Sequence, residues 1–223
     1  MADMLVLVPS RERPANLARF TAAAQDTLGG AADLMFVLDE DDPLLEDALT
    51  VATENRILTR VQPRMLTVPK LNAAALAYCG AYPVIMFTGD DTVPRSRWWD
   101  ADIVSAMSDL VTGYVYPNGL GRTDIPEHVA ISTDIIRALG WFGLPSIRHY
   151  YVDEAWADLG NGAQCITYLP DVVVEHLNPL YGKGPRDHIV RLGEWHADAD
   201  RQALEAWRAD GLEADLKTVR SLL

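Results

Sequence analysis

The chain has 223 residues, 49% hydrophobic and 23% charged, which suits a single domain with a sizeable core and an ordinary solvated surface. Its 32 Asp plus Glu outweigh 19 Lys plus Arg, a formal net charge of −13 at pH 7. A general nucleic-acid binder or an anionic-membrane binder is thereby disfavoured, because both need net positive surface. A small anionic ligand held by a few placed arginines or by a metal ion stays open.

The two cysteines, Cys79 and Cys165, lie far apart without C-x-x-C spacing, which argues against a disulfide framework or a cysteine zinc site. The N-terminal MADMLVLVPS lacks the basic start and long apolar stretch of a signal peptide. No apolar run approaches the ~18 residues of a membrane span. The expectation is a soluble, cytoplasmic protein with no membrane span.

Short apolar runs alternate with longer helical stretches, the pattern of an α/β layered fold. The first predicted strand is Met4 to Val8, closed by Pro9. A helix follows from Pro14, whose preset φ suits a first turn, to Leu28 before Gly29-Gly30. Next come a strand at Leu34–Leu38, a helix at Leu44–Thr53, a strand at Met65–Val68 and an alanine-rich helix at Lys70–Cys79. Val84–Phe87 is the fourth predicted strand, followed by a turn at Thr92-Val93-Pro94 and a helix over Arg97–Met107.

Strands are predicted at Val111–Tyr116 and His128–Ser132, flanking a Pro- and Gly-rich loop over 117–127. Thr133–Leu139 and Val152–Leu159 read as short helices, and Cys165–Leu169 and Val172–His176 as two strands split by Pro170. From Asp187 the tail reads as helix, packed on the outside or over the mouth of a site. No linker divides the chain, so 1–223 reads as one domain with parts 1–110, 111–186 and 187–223.

Three predicted strands run into strongly polar loops: Pro9-Ser10-Arg11-Glu12-Arg13, Asp39 to Asp42, and Asp90-Asp91. In an open parallel sheet such loops converge outside the carboxyl ends of the strands, where ligands bind. Adjacent carboxylates at a strand end call for a cation or a basic partner, and Mn²⁺ or Mg²⁺ suits oxygen donors. A plain turn is the alternative for Asp90-Asp91. No GxxxxGK[ST] sequence exists and no GxGxxG follows the first strand, which excludes a P-loop NTPase and weakens a dinucleotide oxidoreductase.

The succession VPSRERP, FVLDEDDP, VPKLNAA, MFTGDDTVP, YVDEAWADLG and EHLNP resembles the GT-A glycosyltransferases, with family 2 the nearest in pattern. The resemblance implies a GT-A-like, Rossmann-like mixed central sheet sandwiched by helices, with a C-terminal helical extension. It implies a hexosyltransferase-like enzyme that moves a sugar from a UDP- or GDP-sugar to a glycan, protein or small-molecule acceptor, with inversion. Residues 1–110 would then bind the nucleotide-sugar and 111–186 the acceptor.

Position by position, Pro9, Ser10, Arg11 and Arg13 match the loop that embraces the nucleotide, and Asp39, or nearby Asp41, matches the acid that reads the base. Lys70 and Asn72 match a helix start bordering nucleotide and sugar. Asp90 and Asp91 match the end of a D-x-D metal motif that here begins with Thr88, and Asp90 also borders the donor. His176 matches a histidine that completes the metal set, and Asp153-Glu154 matches, in reversed order, the acidic pair that supplies the base. Either of those two carboxylates is the candidate. The segment Tyr181–Arg186 has the flexible, basic character of a lid, with a plain surface loop the alternative, and His149-Tyr150-Tyr151 reads as core or surface packing, with a sugar-facing wall the alternative. A catalytically silent nucleotide- or sugar-binding protein and a sugar nucleotidyltransferase are the alternatives; SRERP is not the glycine-rich loop the latter needs.

Overall fold

The computed structural model describes residues 2–223. Among them eight strands form one mixed sheet in the order β3-β2-β1-β4-β7-β6-β8-β5. Strands β1 (Met4–Ser10), β2 (Ala32–Asp39), β3 (Leu58–Gln62) and β4 (Val84–Phe87) are mutually parallel. Strand β7 (Val129–Ser132) runs antiparallel to β4 and to β6 (Tyr114–Asn118), and β6 pairs in parallel with β8 (Ile166–His176). The short β5 (Thr92–Pro94) closes the far edge antiparallel to β8.

The uninterrupted apolar run of β1 follows from burial on both faces, as parallel central strands require. Alternate side chains feed two cores. Leu5 and Leu7 join Met35, Val37 and Ile85 on one face, against α3 (Thr67–Tyr78), α5 (Thr133–Leu139) and α6 (Val152–Ala163). Met4, Val6 and Val8 join Phe36, Leu38 and Met86 on the other, against α1 (Pro14–Thr27), α2 (Leu45–Asn55) and α4 (Trp99–Leu110). Helix α1 starts with Pro14 as expected and buries Leu17, Phe20, Thr21 and Ala24, one stripe at helical spacing. The tail forms α7 (His188–Glu194), α8 (Ala197–Asp210) and α9 (Leu212–Arg220), and Leu204, Trp207, Leu216 and Val219 seal the first core from outside.

The structure corrects three expected elements. Met65–Val68 is not a strand: α3 begins at Thr67, and Pro69 is tolerated because first-turn N–H groups need no partner. The strand is Leu58–Gln62, an edge whose largely exposed Leu-Thr-Arg-Val pattern gives a weak apolar signal. The Thr92-Val93-Pro94 turn is strand β5, recruited by pairing with Val174–His176. Pro170 does not split β8; the ladder to β6 ends at Leu169 and resumes at Val173 opposite Asn118, so the proline sits in a bulge where its missing N–H costs nothing. Among the described residues no helix is long and apolar enough to cross a membrane.

Candidate functional site

Strand β1 lies between β2 and β4, whose connections leave in opposite directions, so this is the switch point of the parallel half. The polar loops after β1, β2 and β4 meet there, as the sequence pattern implies. They border a cavity of about 280 Å³ whose other walls come from the start of α3, the residues before and within α6, the end of β8, and α7.

On the side of the cavity bordered by the loops after β1 and β2 the charges are paired in a network. The buried Lys70 ammonium lies 2.8 Å from Asp39 Oδ1, and Arg11 Nη1 approaches Asp39 Oδ2 at 3.6 Å. Arg11 donates to Asp41 Oδ1 at 2.6 Å, and burial, which lowers its pKa, is outweighed by that bond and by the neighbouring acids. Pro9, Ser10, Arg11, Arg13, Asp39 and Lys70 all line the cavity. Asp41 and Asn72 do not. Asp41 faces solvent and holds Arg11, while Asn72 clamps Phe142 N, Gly143 N and Gly143 O at 2.8 Å each. Neither side chain lines the cavity, in contrast to the other residues expected on this side.

Asp90 and Asp91 have different environments. Asp90 is buried with both oxygens engaged: Ser10 Oγ donates to Oδ2 at 2.6 Å, and Arg13 Nη1 and Asn16 Nδ2 donate to Oδ1 at 3.1 and 3.4 Å. Burial raises its pKa to about 6 against the opposing pull of Arg13. Burial acts the same way on Asp91, but the facing His176 brings it down to about 2.

His176 stands between two carboxylates, Nε2 3.5 Å from Asp91 Oδ1 and Nδ1 3.5 Å from Glu127 Oε1. Burial lowers its pKa, yet those two acids lift it to about 9. Tyr181 donates to Glu127 Oε1 at 2.7 Å, and the His128 ring packs edge-on against His176 with centroids 5.1 Å apart. Glu127 Oε2, His128 Nε2 and His176 Nδ1 are buried without a hydrogen-bond partner.

The acidic pair also divides. Asp153 lines the cavity, whereas Glu154 turns outward to Arg208 of α8, Oε2 to Nη2 2.9 Å. Adjacent helical residues point about 100° apart, and the phase of α6 that brings Val152 and Asp153 to the cavity turns Glu154 away from it. Burial raises the Asp153 pKa to about 6, with Glu154 and Glu127 adding to the rise against opposing backbone hydrogen bonds. Of the two candidate bases, only Asp153 is on the site.

The loop leading into α6 is held from the tail. Asp200, buried in the first turn of α8, accepts from the backbone N–H of Arg148, His149 and Tyr150 at 2.9, 2.9 and 3.0 Å. That clamp fixes the His149-Tyr150-Tyr151 wall and Tyr151 in a left-handed conformation, φ 68°, an unfavourable backbone for a bulky side chain. His149 Nδ1 lies 2.6 Å from Thr67 Oγ1 of α3, and α7 presses on its ring so closely that a Cβ at Gly193 would sit 2.6 Å from it.

Asp187 caps α7 by accepting from Val190 N at 3.0 Å. It also takes a bidentate pair from Arg13, Nε–Oδ2 2.8 Å and Nη2–Oδ1 2.7 Å, tying α7 to the loop after β1. The segment 181–186, read as either a lid or a plain surface loop, is tethered through Tyr181–Glu127, Lys183–Glu175 at 3.1 Å and Arg186–Glu194 at 2.6 Å.

Among the described residues no group of three or more His, Cys, Asp or Glu side chains is arranged to hold a metal ion. Two donors do converge, Asp91 and His176, beside the unpartnered Glu127 and His128 atoms. A hard divalent ion bound along with phosphate oxygens needs only one or two protein donors, so this pair fits such an ion provided that the ion displaces the His176 proton. Asp90, expected to lead the metal set, has both oxygens occupied by Ser10, Arg13 and Asn16 and fits the role of anchor instead.

Glu127, Asp187 and Asp200 carried no motif in the sequence. Glu127 lies at the end of a loop read as turn chemistry, and the other two act on elements more than 50 residues away.

No protein-family model matches the chain, and no curated protein sequence matches it. Similar solved structures exist. Mannosyltransferase PcManGT from Pyrobaculum calidifontis, in complex with GDP-Man and Mn²⁺, superposes with a TM-score of 0.62 at 16% identity, over 99% of this chain and 80% of that one. Glucosyl-3-phosphoglycerate synthase from Mycobacterium tuberculosis, with Mn²⁺, UDP and phosphoglyceric acid, gives 0.64 at 12% identity, over 91% and 78%. TarS 1–349 from S. aureus with UDP gives 0.60 at 12%, over 78% and 59%. With the sheet order and the helical tail, these similarities give the chain a GT-A-like α/β fold: a curled mixed sheet flanked by helices with a C-terminal helical extension.

Proposed function

We propose that the protein is a glycosyltransferase that moves a sugar from a UDP- or GDP-sugar to an acceptor hydroxyl. The observation that carries this reading is the meeting, in one cavity, of a basic strand-end loop with Asp153, a buried carboxylate whose basicity is raised. The similar folds bound to GDP-Man or UDP support the donor class. Residues 1–110 form the donor half and 111–186 the acceptor half, with α7 of the tail completing the wall.

In this reading Pro9, Ser10, Arg11 and Arg13 embrace the nucleotide, and Asp39, steadied by Lys70, offers Oδ2 to the base or ribose. Asp91 and His176 hold Mn²⁺ or Mg²⁺. When bound, the ion acts as a Lewis acid on the departing diphosphate. Arg11 and Arg13 add fixed positive charge where negative charge grows.

Ionised Asp153 takes the proton of the acceptor hydroxyl as its oxygen bonds to the anomeric carbon and the carbon–diphosphate bond breaks. A carboxylate with a pKa of about 6 is ionised at neutral pH yet more basic than an ordinary one. One base acting opposite the leaving group fits inversion. The test is release of nucleoside diphosphate from a panel of UDP- and GDP-sugars with Mn²⁺. Asp153→Asn is expected to lower turnover by roughly 10²–10⁴-fold while nucleotide binding persists. Nucleotide binding without turnover on any donor would instead favour a silent binding protein.

A further inference from the structure

The charge of the cavity lining is segregated along the chain. Among the described residues its Lys and Arg side chains are Arg11, Arg13, Arg64 and Lys70, all on the donor side, and each pairs with a carboxylate. From Glu127 onward the lining has no Lys or Arg. Instead it has two carboxylates, Glu127 and Asp153.

The imidazoles there offer little to an anion. His176 is flanked by Asp91 and Glu127, His128 is buried edge-on against His176, and His149 Nδ1 is engaged with Thr67 Oγ1. The arginines just before and within α7 are engaged elsewhere: Arg186 pairs with Glu194, and Arg191 donates to the Arg186 carbonyl at 3.0 Å. What this half offers is aromatic and apolar surface. The His149, Tyr150 and Tyr151 rings stack edge-on, with centroids 4.8 and 6.5 Å apart, opposite Ile189, Val190 and the half-exposed Leu192 of α7.

We infer that the acceptor is a neutral glycoside, presenting the C–H face of a sugar ring to this aromatic wall and carrying no phosphate or carboxylate at the bound ring. The inference rests on the glycosyltransferase reading above and narrows its acceptor. An anion entering this half would be desolvated with no Lys or Arg of the lining beside it and would face two carboxylates, both unfavourable. A sugar ring loses little: its apolar face packs on tyrosines that are already ordered, and its hydroxyls meet Asp153, Glu127 and Asn178.

Saturation-transfer NMR on the full chain with diamagnetic Mg²⁺ and UDP or GDP tests this. The neutral probes are methyl α-mannoside and methyl β-glucoside, and the charged probes are mannose 6-phosphate and glucose 6-phosphate. The expected result is saturable binding of a neutral glycoside, at least about tenfold tighter than its phosphorylated counterpart. In Leu192→Arg, at the half-exposed mouth, that preference shrinks or reverses. Equal or tighter binding of the phosphorylated sugars, or no binding by either neutral glycoside, overturns the inference. Calorimetry of UDP and GDP on the same samples separates the two failures. Loss of nucleotide binding sinks the glycosyltransferase reading; retained nucleotide binding with the wrong sugar preference sinks only the acceptor class.

Discussion

Asp200 tests whether the helical tail is part of the site. Its carboxylate accepts three backbone N–H groups, one on Oδ1 and two on Oδ2, from the loop that delivers Tyr151 and Asp153 to the cavity. Asp200→Ala leaves three donors of a partly buried loop without their carboxylate. Each such donor costs about 1–3 kcal/mol, and partial relaxation of the loop brings the sum to about 3–5 kcal/mol. That is a large share of the ~5–15 kcal/mol by which domains are stable.

Asp200→Asn keeps one acceptor oxygen. Turned to the Oδ2 side it retains two bonds and sets its amide against Arg148 N–H, a loss of about 1–2 kcal/mol. Urea unfolding at pH 7 reads both variants, and a transfer assay reads the loop, with a larger loss of turnover for Ala than for Asn. An Ala variant costing less than about 1 kcal/mol, or Asn and Ala costing the same, would refute the three-bond account.

Other consequences are open to direct measurement. With Asp153 as base, kcat/KM falls as pH drops through about 6, because the working form is the ionised one. A pH profile flat to pH 5 contradicts that assignment. The same shift means folding disfavours the charged carboxylate, so its contribution to stability is present below the ordinary Asp range and lost as pH rises toward 6. Asp153→Asn is therefore expected to match or exceed the wild-type Tm at pH 7.5 while losing activity. Asp91→Asn should abolish Mn²⁺ binding measured with nucleoside diphosphate, whereas Asp90→Asn should lower thermal stability by loosening Ser10 and Arg13; the reverse pattern would restore Asp90 as the ligand. Gly193→Ala forces α7 off the His149 ring, and a rise in acceptor KM with unchanged nucleotide affinity is the expected kinetic signature.

Much of the fold is legible in the residues because burial on both faces leaves β1, β2 and β4 as uninterrupted apolar runs, and each ends in a polar loop that the parallel topology brings to one edge. Arg11, Arg13 and Asp39 meet there for that reason, and Lys70 reaches Asp39 from the first turn of α3. What local pattern does not encode is pairing at a distance. β5 and the unbroken β8 exist through each other and β6, and a proline in β8 reads as a break until the bulge opposite Asn118 is seen.

Side-chain direction is hidden in the same way. Asp90 and Asp91 are equivalent in sequence, but Ser10, Arg13 and Asn16 occupy one and leave the other to His176. The order of Asp153 and Glu154 is ambiguous until the helix phase turns Glu154 to Arg208. The net charge of −13 likewise gains structure, since several of the acids serve as internal partners for the very cations that face the cavity.

Isothermal titration of the purified protein with UDP and with GDP, with and without Mn²⁺, tests the central claim most directly. The account predicts saturable binding of at least one of them that strengthens with Mn²⁺, and loss of that strengthening in Asp91→Asn. Absence of binding by both nucleotides in the presence of Mn²⁺ would contradict it.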